Sequence, residues 1–156
     1  MTCGMSGVFA ADLGHYVADG HMPLHLTRNY KGQFTDNTGI RSRYECGMIK
    51  TYISQIHYAG KPAKEVANAD AYIFEYIYTN ARFYDSVLRT DDLAKSADEN
   101  LNSATYREVL WNNSRNFSVQ LFDHASPALA SLMFTARIDS DKPALFGPSL
   151  KCSPAI

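Results

Sequence analysis

The side chains with the clearest chemical potential lie close together near the front of the chain, in HYVADGHMPLH, residues 15–25. On a helix, His15 and Asp19 stand at i and i+4, one turn apart on one face, so both can reach the same cation. Gly20 and Pro23 then turn the backbone and let His25 approach from another direction. Farther along, Glu45 falls on the next expected helix and can supply a further oxygen. Imidazole nitrogen with carboxylate oxygen is a donor set suited to zinc. The same spacing also describes two core histidines, one of them hydrogen-bonded to Asp19, and spacing alone leaves both readings open.

Other reactive types carry less. His21 reads as a turn residue beside the pattern. His57 and His124 fall on expected helices without a carboxylate at ligand spacing, which makes them surface or interface residues. The three cysteines, Cys3, Cys46 and Cys152, match no CxxC pattern and read as idle or buried thiols, with no disulfide frame. Asp91, Asp92, Asp98 and Glu99 lack the glycine and the alternating oxygens of a calcium loop and are expected to be a solvated helix face. Asn112-Asn113-Ser114 and Asn116-Phe117-Ser118 match the glycosylation acceptor pattern, but within an expected helix they are given no function.

The elements that must position the front cluster read as helices. Tyr44, Met48, Ile49, Tyr52, Ile53 and Ile56 recur at three- and four-residue steps. Val66, Ala69, Ile73, Ile77, Ala81, Tyr84 and Leu88 do the same, as do Leu110, Phe117, Leu121, Ala125, Leu129, Leu132 and Ala136. Each set forms an apolar stripe. Pro127 predicts a kink or break near Ser126, and Thr90-Asp91-Asp92 looks like a helix start. Thr27 to Gly39 is rich in turn formers, and Gly60 with Pro62 marks a second break. The ten tyrosines are expected to fill helix interfaces. No segment alternates with period two. The expected fold is all-α, with about four to six helices in a single domain over residues 1–156 and an irregular tail over 142–156.

Composition fits that picture. The 156 residues are 46% hydrophobic and 20% charged, which excludes a disordered chain, and the net charge of -1 argues against a strongly basic nucleic-acid clamp. No apolar run approaches the roughly 18 residues of a membrane span. The opening MTCGMSGVFAADLGHY lacks the basic region and cleavage site of a signal peptide.

HYVADGHMPLH, followed by NYKGQ and then IRSRYE, resembles the zinc-dependent phospholipase C and S1/P1 nuclease superfamily, most closely its bacterial phospholipase-C-like branch. The shared core is H-x-x-x-D-x-x-x-P-x-H. The similarity is strong from Leu13 to Glu45 and continues weakly to Ala144 through WNNSRNFSVQLFDHAS. The resemblance implies a helical bundle like the C-terminal part of that fold, with a zinc cluster that hydrolyses phosphodiesters in phospholipids or single-stranded nucleic acid. Carried over residue by residue, His15 binds one zinc, Asp19 bridges it to a neighbour, and His25 with Glu45 binds a further ion.

Two departures qualify this expectation. Arg41 stands where the family has a zinc-binding His, four residues before Glu45, and a guanidinium cannot be a ligand. At i,i+4 it can instead pair with Glu45. The family also draws a Trp, two His, an Asp and its catalytic carboxylate from a long segment ahead of the H-x-x-x-D helix, whereas Met1 to Gly14 holds no Trp or His. The chain is therefore expected to be an N-terminally truncated version of the family domain with a partial zinc site and no identifiable catalytic residue. The alternative is a non-catalytic helical module derived from that family, able to self-associate into a homo-oligomer. The family is usually exported, and the sequence assigns no compartment.

Overall fold

In a computed structural model, residues 3–58 and 60–140 are described, with side chains from Phe9 onward. These residues are helices and turns, with no strand among them. Helix α1 spans Cys3–Gly20. A 3-10 turn follows at Pro23–Leu26, with proline at its start, where no N–H is needed. Turns occupy 27–39. A second helical segment, α2, covers 40–55 and changes its winding along its length. It is α-helical at Ile40–Ser42, π-helical at Arg43–Ile49, α-helical again at Lys50–Tyr52 and 3-10 at Ile53–Gln55. An irregular stretch leads to α3 (Ala69–Ala81), α4 (Tyr84–Ala97) and the long α5 (Ala104–Asp139).

Local chemistry sets the starts of α3 and α5. Asn68 Oδ1 accepts the N–H of Ala71 at 2.9 Å, and Ser103 Oγ accepts that of Tyr106 at 3.0 Å. Each removes one orphan donor from a first turn. Gly20 ends α1 where there is no space for a side chain, since a Cβ there would meet Tyr76 Cε2 at 2.6 Å. Gly32, at φ 74°, allows the tight turn that brings the chain back against Asn37.

The main core is built from Leu24, Ile40, Tyr44, Met48, Val87, Tyr106, Leu110 and Trp111, and α4 packs most extensively on α5. Tyr52 stacks on Trp111 with ring centroids 5.2 Å apart. A smaller cluster of Val17, Ala128 and Leu132 joins α1 to the distal half of α5. No described helix is long and apolar enough to cross a membrane.

The all-α architecture agrees with the sequence, but several details do not. The stripe from Val66 to Leu88 is split between two helices by a turn at Arg82-Phe83, where the ring of Phe83 stacks on Phe117. Thr90 does not start a helix. It is buried inside α4 and its hydroxyl donates to Val87 O at 2.8 Å. Helix α5 runs unbroken through Pro127, because Leu121 before it and Ala128 and Leu132 after it are all buried against the body. His57 lies in the irregular stretch, outside any helix. The tail over 142–156 and Cys152 fall outside the described residues.

Asp91 is the largest departure. It was expected on a solvated face and is fully buried. Its carboxylate accepts from Arg43 Nη2 at 3.0 and 3.1 Å, from Asn37 Nδ2 at 2.8 Å and from the Tyr106 hydroxyl. Lys95 Nζ adds a contact at 3.6 Å. A buried carboxylate is tolerated only when it is paired and hydrogen-bonded in this way. The network ties the turn region and α2 to α4 and α5, and so fixes the segment that carries Glu45.

Candidate metal centre

Three elements bring the front cluster together. On the last turns of α1, His15 Nε2 lies 3.4 Å from Asp19 Oδ2. The chain then reverses, with His21 N–H bonded to Ala18 O and Met22 N–H to Asp19 O, both at 3.0 Å. Leu24, fully buried, anchors the 3-10 turn. Its neighbour His25 is thereby aimed back at α1, and His25 Nδ1 meets Asp19 Oδ1 at 2.7 Å. From α2, Glu45 Oε1 closes on the other ring nitrogen, His25 Nε2, at 3.0 Å. The four expected site residues, His15, Asp19, His25 and Glu45, thus form one unbroken line of contacts.

The protons in this line constrain what it can do. A neutral imidazole has one N–H and one lone pair. That single N–H can go to Asp19 from Nδ1 or to Glu45 from Nε2, and the tautomer decides which carboxylate receives it. A carboxylate holding the far nitrogen of a histidine is also how metal-binding imidazoles are commonly oriented. The 3.4 Å between His15 Nε2 and Asp19 Oδ2 equals, to within about 0.1 Å, the edge of a tetrahedron with zinc–ligand bonds of about 2.0–2.1 Å. The His15–Asp19 pair matches that edge, whereas His25 Nε2 and Glu45 Oε1, at 3.0 Å, lie closer together than it. Among the described residues, no group of three or more His, Cys, Asp or Glu side chains is arranged to hold a metal ion.

Arg41 enters the same line. Its Nε donates to Glu45 Oε1 at 3.2 Å and lies 3.5 Å from Oε2. The carboxylate is shared between an imidazole and a permanent cation. Glu45 belongs to the π-helical stretch, a winding often found at functional sites.

His21 takes no part in the line. It is buried, its Nδ1–H donates to Val17 O at 2.8 Å, and its ring stacks on Tyr76 at 4.5 Å. Burial pushes its imidazole below the ordinary value, opposed by the bond to Val17, and nearby His124 adds to the lowering. Two hollows flank the cluster. A groove of about 480 Å³ between α1 and α3 is bordered by His15, Asp19, His25 and Arg41. A chamber of about 250 Å³ on the other side reaches Tyr44, Ile49, Leu121 and Phe122 from Asp19, His25 and Glu45. Tyr44 and Ser118 satisfy each other there at 2.5 Å, and burial pushes the Tyr44 phenol up.

No protein-family model matches the chain, and neither a search of curated proteins nor one of solved structures found a match.

Sequence reasoning selected the four converging residues and the Arg41–Glu45 pair. It missed the network around Asp91, which holds α2 in place, and the burial of His21. The signal for the Asp91 network in the sequence is weak, a cluster of acidic residues whose one local partner, Lys95, fits an exposed face as well.

Proposed function

We propose that the chain is a zinc-binding helical module of the phosphodiester-hydrolase type, acting on a phosphodiester in phospholipid or single-stranded nucleic acid. The supporting observation is the placement of His25 between Asp19 and Glu45, with His15 one turn away, by three elements that are separate in the sequence. His15 with Asp19, and His25 with Glu45, would hold the metal. Zinc bound there would bring the pKa of a coordinated water to about 7 and neutralise charge on the phosphoryl oxygens. In the tautomer that donates Nδ1–H to Asp19, Nε2 keeps its lone pair for the ion. Leu24 and the Asp91–Arg43 network fix the two backbones that carry these side chains. The test is zinc per chain after metal loading, together with hydrolysis of bis(p-nitrophenyl) phosphate. Zinc retained with turnover supports the proposal, and no zinc at saturation rejects it.

The Arg41–Glu45 contact favours a second reading, a helical module of the same lineage without catalysis. Zinc bound without turnover selects it. Exposed Phe74 and Tyr78, stacked on each other at 6.2 Å, give that module an apolar surface for self-association, which light scattering would detect.

A further inference from the structure

We propose that a further cavity, enclosed by α3, α5 and the irregular segment 61–68, binds an uncharged aromatic molecule that carries an amide or amino NH2 group. None of His15, Asp19, His25 and Glu45 borders this cavity, and the proposal involves no metal ion.

The cavity has a volume of about 780 Å³, within the usual span of small-molecule sites, about 300–1,000 Å³. Its outer wall is fixed before any ligand arrives. Lys64 N–H donates to Ser131 Oγ at 3.1 Å and Val66 N–H to Thr135 Oγ1 at 2.8 Å, which fastens the segment along α5. Asn68 then caps α3. A wall tied down in this way lowers the ordering cost of binding.

Two side chains of the inner wall each have an acceptor to spare. His21 and Asn80 are 4% and 2% exposed, and both border the cavity. His21 Nδ1 lies 2.8 Å from Val17 O, a carbonyl that can only accept, so Nδ1 carries the proton. Burial favours the neutral ring, and Nε2 then holds a lone pair. Asn80 Nδ2 donates to Gly20 O at 3.0 Å, which fixes the orientation of the amide and leaves Oδ1 without a partner. Among the described residues no side-chain nitrogen or oxygen is both sealed from solvent and unpaired, so both acceptors reach open space. For Asn80 that space is this cavity. The His21 ring stacks on Tyr76 and lies near His124, and both of those residues wall the same cavity.

These groups select the ligand class. Two acceptors that no protein donor satisfies call for a ligand that donates. A hydroxyl has one proton to give, whereas an NH2 group has two and can serve both acceptors. Tyr72, Tyr76, Val66 and Pro127 supply apolar wall for an aromatic body. Lys61 and Lys64 balance Glu65 and Glu75 around the rim, so the cavity has no net formal charge with which to recruit an ion.

The experiment titrates four probes of one shape into the whole chain without added zinc, followed by saturation-transfer NMR. They are benzamide, methyl benzoate, benzoate and benzamidinium. Benzamide is expected to bind about 5- to 150-fold more tightly than methyl benzoate, the range for two neutral hydrogen bonds, and more tightly than either ion. His21→Phe keeps a ring against Tyr76 and removes Nε2, so the preference for benzamide over the ester should narrow. Ala71→Phe fills the cavity from an exposed position on α3 and is expected to abolish binding. Circular dichroism verifies that each variant folds, and Ala71→Phe carries the test if His21→Phe does not. Equal affinity for benzamide and methyl benzoate overturns the proposal, as does tighter binding of either ion. So does an undiminished preference in folded His21→Phe, a benzamide affinity unchanged in Ala71→Phe, or no binding of benzamide by the native chain.

Discussion

Arg41 and Glu45 are joined one turn apart on α2, Nε to Oε1 at 3.2 Å, on the same oxygen that faces His25 Nε2. A fixed cation therefore competes with any metal ion for this carboxylate. Replacing Arg41 by His removes the competitor and adds a donor four residues from Glu45. Arg41→His is expected to bind zinc about 10- to 100-fold more tightly than the native chain, the range seen when groups around a metal site are altered. Competition titration against a chromogenic chelator measures this. Unchanged affinity would show that Arg41 does not hold Glu45 away from metal.

Asp91 carries the second expectation. It is fully buried and accepts from Arg43, Asn37 and Tyr106, so removing it strands the Arg43 guanidinium, whose side chain is only 12% exposed. Asp91→Ala is expected to cost about 3–5 kcal/mol. Urea unfolding followed by circular dichroism checks it, and a loss within about 0.5 kcal/mol, the range of an ordinary surface substitution, would place Asp91 on the surface as the sequence suggested.

The contrast between these two sites shows what the sequence makes legible. The His15–Asp19 contact is local, i to i+4, and Gly20 and Pro23 mark the reversal that returns His25. The Arg41–Glu45 pair obeys the same helix arithmetic. Helical stripes point to the all-α class, and the run of turn formers marks the stretch at 27–39. The burial of Asp91 has no local marker: Lys95 at i+4 fits a solvated face equally well, and its other partners Arg43, Asn37 and Tyr106 are 48, 54 and 15 positions away. The turn at Arg82-Phe83 has neither glycine nor proline. At Pro127, where a kink or a break is expected, the helix is not broken, and residues on both sides are buried. The turn of α2 into π-helix, which carries Glu45, likewise has no marker in residue type.

Gly20 gives a third expectation. Alanine is the better helix former by about 0.8–1.0 kcal/mol, yet its methyl would lie 2.6 Å from Tyr76 Cε2. Gly20→Ala is expected to destabilise by about 1–3 kcal/mol, as overpacking does. In a Tyr76→Leu background the penalty should shrink. Thermal melts of the four proteins of this double-mutant cycle decide it, and equal penalties in both backgrounds would exclude the Tyr76 ring as the cause.

Ser103 supplies a fourth. As the cap of α5 it accepts the N–H of Tyr106 at 3.0 Å. Ser103→Ala is expected to cost about 1 kcal/mol, and Ser103→Asp to recover most of it. Denaturant midpoints measure both, and full stability in Ser103→Ala would mean that α5 does not depend on this cap.

The central claim is that His15, Asp19, His25 and Glu45 meet in order to hold a divalent ion. Its most direct test is a zinc titration followed by thermal unfolding, on the native chain and on His25→Ala. The account expects the native midpoint to rise with zinc, as ligand binding to the folded state requires, and His25→Ala to lose that rise while remaining folded without metal. A native midpoint indifferent to saturating zinc, with no zinc retained on the chain, would contradict it.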